Sequence, residues 1–320
     1  MTQEPILRLK LRQVRLEADD ICSFEFVAAN GGVLPPFAAG AHIDLHLPEG
    51  RVRSYSLANA PVDSGQRYLI AVQREAEGRG GSAWMHDSLR VGQVLDASIP
   101  SNDFELQDGA ADSIFIAGGI GITPILSMIE QLESERRAWR LFYAARSPEA
   151  AAFCERLRDL DRGRGLVTFC FASERAERLD ISAIVKAAGP ATHLYCCGPA
   201  RMIDAFVDAG QANPLSTIHY ERFAAGDTQA LEGGFTVHLT RTDRRIPVEP
   251  GKTILDALLD ADVAVSYACS NGICGSCMTR VVSGIPDHRD DFLSEDEKRA
   301  GTSMLICCSG SKTPELVLDI

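Results

Sequence analysis

Long apolar runs are what this chain lacks. Residues 1–17 interleave Ile6, Leu7, Leu9, Leu11, Val14 and Leu16 with Arg8, Lys10, Arg12 and Arg15. That stretch has no signal-peptide core and is expected to form a first strand. The longest uncharged run, 113–129, holds Gly118, Gly119, Gly121 and Pro124. It falls short of the roughly 20 apolar residues that a membrane helix needs, so no membrane span is expected. Positive charge is scarce as well: 32 Lys+Arg stand against 44 Asp+Glu, a net −12. Such a field repels phosphate backbones and anionic lipid surfaces, which excludes nucleic acid and membranes as expected partners. Internal repeats and low-complexity tracts are missing too.

What is present is an ordinary folded composition, with 45% hydrophobic and 24% charged residues over 320 positions. That length suggests two domains or three small ones. Ten cysteines in a chain without a signal peptide point to reduced thiols in a cytoplasmic setting, where clustered cysteines bind metal or carry redox chemistry. Cys22, Cys154, Cys170, Cys196 and Cys197 are scattered or fall in apolar runs, whereas Cys269, Cys274, Cys277, Cys307 and Cys308 crowd into the last fifth of the chain.

The hydrophobic rhythm changes twice. Short alternating runs at 8–16, 23–27, 42–47, 52–57, 68–74 and 93–99, separated by Gly and Pro turns, predict a small antiparallel barrel. From Asp112 the pattern becomes strand, glycine turn, helix: strands at 113–117, 139–144, 166–172 and 193–197, with helices at 124–134, 149–160 and 181–187. Alternating strand and helix predicts a doubly wound parallel sheet. A small-residue stretch at 224–234 reads as a linker. Beyond it a hairpin at 235–241 and 245–248, a short helix at 253–261 and strands at 278–282 and 316–318 form a third unit.

Three groups of residues carry chemistry. Cys269, Cys274 and Cys277 form a C-x4-C-x2-C run, with Cys307 farther on, and this is the plant-type [2Fe-2S] ligand spacing. Gly272 and Gly275 suit a loop whose N–H groups turn toward sulfur. A structural zinc site is the alternative, although such sites usually pair two short knuckles. Adjacent side chains on an extended segment face opposite ways, so of Cys307 and Cys308 only one is expected to be a ligand, and the spacing selects Cys307. The second group is Gly118-Gly119-Ile-Gly121-Ile-Thr123-Pro124, a strand running into a helix through a turn open enough for a diphosphate. Cys197-Gly198-Pro199 ends another strand at the same carboxyl edge of the sheet, and a tight turn is the plainer reading of each. In the third group, Arg53, Tyr55 and Ser56 offer a phosphate contact, a stacking face and a hydrogen bond, while Arg79-Gly80-Gly81-Ser82 offers further phosphate donors; ordinary surface residues are the alternative.

Taken in order, R-x-Y-S-L, G-R-G-G-S, F-I-A-G-G-I-G-I-T-P, C-G-P and C-x4-C-x2-C with a distant Cys resemble the phthalate dioxygenase reductase family, the flavin and iron-sulfur reductases that feed Rieske oxygenases. The resemblance covers essentially the whole chain and implies three domains. Residues 1–106 would be an antiparallel β-barrel binding FMN through Arg53, Tyr55, Ser56, Arg79, Gly80, Gly81 and Ser82. Residues 107–226 would be a doubly wound α/β domain binding NADH, with Gly118, Gly119, Gly121 and Thr123 near the diphosphate and Cys197, Gly198 and Pro199 near the nicotinamide. Residues 227–320 would be a β-grasp ferredoxin-like domain holding a [2Fe-2S] cluster on Cys269, Cys274, Cys277 and Cys307.

The resemblance further implies that Phe223 covers the flavin, that Glu221 lies close by, and that Glu174 after Ser173 repels a 2′-phosphate, favouring NADH over NADPH. Catalysis would be positional: Ser56 polarises flavin N5 while Thr123 and Cys197 place the nicotinamide. The expected partner is a Rieske-type terminal oxygenase, served by a cytoplasmic monomer. The alternatives are a reductase for a diiron or cytochrome monooxygenase, or an iron-sulfur redox sensor; the ferredoxin-like segment coming last favours the Rieske partner.

Overall fold

A computed structural model describes residues 6–48, 51–75, 80–174, 179–213, 217–223, 230, 232–267, 272–273 and 275–320. Its contacts divide the chain into two compact units, Met1–Arg222 and Phe223–Ile320.

The first unit opens with strands β1 (Leu7–Ala18), β2 (Ile21–Ala28), β3 (His42–His46), β4 (Val52–Ser56) and β5 (Tyr68–Gln73), then helix α1 (Gly81–Asp87) and strand β6 (Val94–Ala97). They form an antiparallel sheet in the order β4-β3-β6-β1-β2-β5. Alternation sends Leu9, Leu11, Phe24, Phe26, Ile43 and Ile70 into one core. In β1 the alternation lapses after Leu11, where a register shift occurs, and both Val14 and Leu16 are exposed. The two ends of the sheet meet just beyond β4. Ala58 N donates to Leu69 O at 2.7 Å, and Leu69 N donates to the Asn59 side-chain oxygen at 2.8 Å. Asn59 thus supplies the acceptor that the chain's backbone does not, and it draws the sheet toward a barrel.

The same unit continues with β7 (Asp112–Gly118), α2 (Ile122–Glu135), β8 (Trp139–Ala145), α3 (Cys154–Asp161), β9 (Val167–Phe171), α4 (Ile181–Lys186), β10 (Thr192–Cys197), α5 (Ala200–Gln211) and β11 (Thr217–Glu221). The strands are all parallel in the order β11-β10-β7-β8-β9, the doubly wound sheet expected from the sequence. The reading of 149–160 as one helix is corrected: α3 begins only at Cys154, because Phe153 adopts a left-handed φ of 61° that a continuous helix cannot contain. The helix α5 and edge strand β11 add to the sequence reading.

The second unit comprises β12 (Phe235–Leu239), β13 (Arg244–Val248), α6 (Ile254–Asp260), β14 (Met278–Ser283), β15 (Pro286–Asp287), α7 (Glu295–Ala300), β16 (Ser303–Leu305), β17 (Gly310–Ser311) and β18 (Glu315–Leu318). The larger sheet runs β13-β12-β18-β14-β16, with β12 and β18 parallel and a helix packed on one face, which is the β-grasp arrangement. Each helix starts on a reciprocal capping box, Thr253 with Asp256 and Ser294 with Glu297. Among the described residues, no helix is long and apolar enough to cross a membrane.

Candidate functional site

In the barrel, β4 carries Arg53, Ser54 and Tyr55 half-buried and Ser56 buried. Burial pushes the Tyr55 hydroxyl up to about 12, against the pull of Arg53, so it stays protonated and neutral. The turn before α1 approaches this strand. Gly80 has a left-handed φ of 77°, and a β-carbon there would lie 3.3 Å from the Arg51 guanidinium. One at Gly81 would lie 2.9 Å from Arg53 Nε. Two arginines therefore flank the glycine turn; Arg53 was expected from the sequence and Arg51 was not. The Ser82 hydroxyl oxygen accepts from Glu75 N at 3.0 Å, which leaves its proton available to an anion. Arg79 lies outside the described residues.

At the carboxyl edge of the parallel sheet, three glycines serve close packing. A β-carbon on Gly118 would come within 2.6 Å of Pro199, one on Gly121 within 2.3 Å of the Cys197 carbonyl oxygen, and one on Gly198 within 3.0 Å of Gly118 itself. The turns after β7 and β10 thus touch backbone to backbone. Only Gly119 differs: its φ is 54° and the space where a side chain would stand is open, as a ligand approach requires. Two hydroxyls pin this turn from inside, Tyr143 donating to Gly119 O at 3.2 Å and Thr123 to Ile120 O at 3.0 Å. Ser173 and Glu174 follow β9 at the same sheet edge, exposed, with Ser173 N donating to Arg146 O at 2.9 Å.

One place where barrel and parallel sheet approach each other is a carboxyl group. Glu221 ends β11, beside Cys197 at the end of β10. The Cys197 thiol lies 3.9 Å from Glu221 Oε2, and the Ser56 hydroxyl is near enough to draw this carboxyl's value down. Burial, reinforced by the negative charge of Asp103, pushes Glu221 up to about 8, against the opposing pull of Cys197 and Ser56. Burial also holds the Cys197 thiol well above its ordinary value, and Glu221 adds to the effect, so the sulfur stays a neutral donor. Cys196 points the other way, into the core between the sheet and α4 and α5. Phe223 is the first residue of the second unit.

In the second unit, Gly272 N donates to Cys307 Sγ at 3.2 Å, and the Cys277 and Cys307 thiols are within hydrogen-bonding reach of each other. Gly272 and Gly275 both have φ of 74°, the left-handed conformation that lets backbone N–H groups turn toward sulfur. Cys308 Sγ turns instead toward Leu305 O, at 3.8 Å. Two neighbouring sulfurs with a backbone N–H aimed at one of them fit a thiolate-bound iron-sulfur cluster. The other two expected ligands, Cys269 and Cys274, lie outside the described residues.

Residues 237–311 match the family model of the 2Fe-2S iron-sulfur cluster binding domain, and residues 115–208 match that of the oxidoreductase NAD-binding domain. Over 320 residues the chain is 48% identical to phenoxybenzoate dioxygenase subunit beta of Ectopseudomonas oleovorans, covering 100% of this chain and 98% of that one. Over 316 residues it is 42% identical to tetrachlorobenzoquinone reductase of Sphingobium chlorophenolicum, with 98% and 97% covered. Among solved structures, phthalate dioxygenase reductase, described as a modular structure for electron transfer from pyridine nucleotides to [2Fe-2S], matches with a TM-score of 0.85 at 41% identity over 98% of each chain.

Proposed function

Because the chain belongs to the phthalate dioxygenase reductase family, we propose that it carries electrons from NADH to a Rieske-type terminal oxygenase as a cytoplasmic monomer. The observation that carries the reading is the convergence of Ser56, from the barrel, and Cys197, from the parallel sheet, on the Glu221 carboxyl. NADH delivers two electrons together while a [2Fe-2S] cluster takes one at a time, and bound FMN supplies the conversion between them.

The chain's own residues divide that work among three segments, 1–106, 107–226 and 227–320. In the first, Arg51, Arg53, Arg79 and the Gly80-Gly81-Ser82 turn hold a phosphate monoester, the Tyr55 ring offers an apolar face, and Ser56 directs its hydroxyl toward the flavin edge. In the second, Gly119 admits the diphosphate to backbone N–H groups, and Gly118, Gly121 and Thr123 shape the turn that presents them. Cys197, Gly198 and Pro199 wall the nicotinamide end. Ser173 and Glu174 meet the adenine-side ribose, where a carboxylate accepts from a hydroxyl and repels a 2′-phosphate. In the third, Cys269, Cys274, Cys277 and Cys307 bind the cluster. Hydride transfer between two ring systems needs no strong acid or base, so these groups act chiefly by positioning.

Anaerobic titration of the purified protein with NADH tests this reading: uptake of about three electrons, two by flavin and one by iron, is expected. A protein that binds flavin without iron overturns it. The tetrachlorobenzoquinone reductase relative favours a second acceptor, a quinone reduced directly. Quinone reduction that survives Cys277→Ser would assign that activity to the flavin rather than the cluster.

A further inference from the structure

At the sixth residue of α2, one turn beyond Thr123, the Ser127 hydroxyl donates to the backbone carbonyl of Asn59 at 2.8 Å. Ser127 is 0% exposed and Asn59 1%. Ser127 belongs to the helix that follows the nucleotide-binding turn, and Asn59 stands three residues beyond Ser56, just past the end of β4. Asn59 cannot yield easily. Its side-chain oxygen accepts from Leu69 N at 2.8 Å, and its amide donates to the Arg67 carbonyl at 3.2 Å, so it is fixed to β5 and its surroundings. Ser127 therefore attaches α2 to a rigid point of the barrel rather than to a yielding loop. The adjacent Met128 methyl packs beside Gly40, where a β-carbon would lie 2.9 Å away.

We propose that Ser127 is a positioning residue for hydride transfer: its bond to Asn59 fixes the separation between the strand that carries Ser56 and the Gly119 turn that holds the nucleotide. The inference rests on the assignment of flavin to the Ser56 strand and NADH to the Gly119 turn. With both cofactors bound, the flavin would accept the hydride that leaves C4 of NADH, NAD+ being released, and Ser127 would act only by holding the two sites at the right separation. A transfer of this kind falls off steeply with donor–acceptor separation, and a misplacement of about 1 Å costs on the order of a hundredfold. Removal of the hydroxyl leaves the Asn59 carbonyl buried without its donor and frees the helix to shift.

Anaerobic stopped-flow reduction of the holoprotein by NADH tests the proposal. In Ser127→Ala, the saturated rate of flavin bleaching should fall about tenfold, and the isotope effect with NADH deuterated at C4 should rise. Flavin content, the NADH dissociation constant and the rate of bleaching by dithionite should match the parent. Ser127→Thr, which keeps the hydroxyl, should recover most of the rate. Parent-like bleaching in Ser127→Ala overturns the proposal, as does a slower rate that merely follows lost flavin or weakened NADH binding. If NADH fails to bleach the parent itself, the functional reading falls, a result distinct from equal rates in parent and variant.

Discussion

At residues 80–82 the Arg51 and Arg53 side chains crowd the positions where β-carbons of Gly80 and Gly81 would stand, whereas at Gly118, Gly121 and Gly198 the nearest atoms are backbone, proline and methionine. Both places are glycine turns expected to meet phosphate, but one is lined by fixed cations and the other by peptide dipoles. A phosphate that stays bound through every turnover is suited by full charges. A diphosphate that must leave after each hydride transfer is better served by backbone N–H groups, whose attraction is weaker. Glycine alone does not mark a ligand site: of these glycines, only Gly80 and Gly81 have charged side chains as their nearest neighbours.

Removing the cations should break the comparison most sharply. Each charged hydrogen bond contributes about 1.5–3 kcal/mol, so Arg51→Ala combined with Arg53→Ala should weaken flavin binding more than a hundredfold, read by fluorescence titration of the apoprotein. Gly121→Ala places a methyl group against the Cys197 carbonyl. It should cost about 1–3 kcal/mol, seen as a lower Tm, while flavin content stays at the parent level.

Glu221 lies where the two territories meet, and its effect is one of pH. Its folded-state value, about 8, is raised above that of an unfolded carboxyl, so its contribution to stability is present in acid and is lost as pH rises from the ordinary carboxylate range through about 8. Glu221→Gln should remove that slope from urea midpoints measured between those limits, and should also remove any bend near pH 8 in the rate of flavin reduction. The smallest effect belongs to Gly119→Ala, where the space is open and only the left-handed backbone objects. About 1 kcal/mol of stability should be lost, with NADH binding weakened a few fold by the added methyl group.

The division into barrel, parallel sheet and β-grasp was legible because each has its own hydrophobic period, and the cysteine spacing pointed to the 2Fe-2S domain that residues 237–311 match. Local backbone exceptions were harder to read. Phe153 gives no sign of its left-handed conformation, so α3 appeared a turn and more too long. Arg51 was hidden by position, since nothing in the sequence says that a residue before β4 reaches the turn at Gly80. The Ser127–Asn59 bond joins residues 68 positions apart, and neither periodicity nor a motif reports such a pairing. Gly118 and Gly121 were located correctly as a turn, yet their neighbours show that they accommodate protein backbone, with Gly119 alone facing open space.

Glu221 is the last residue of β11, and the second unit starts at Phe223, so a single residue, Arg222, joins the carboxyl beside Ser56 to everything that follows. Arg222 is clamped to Asp204 of α5 at 2.7 Å. Together with the pairing of β11 to β10, that ion pair anchors the backbone next to the buried carboxyl to a helix of its own unit.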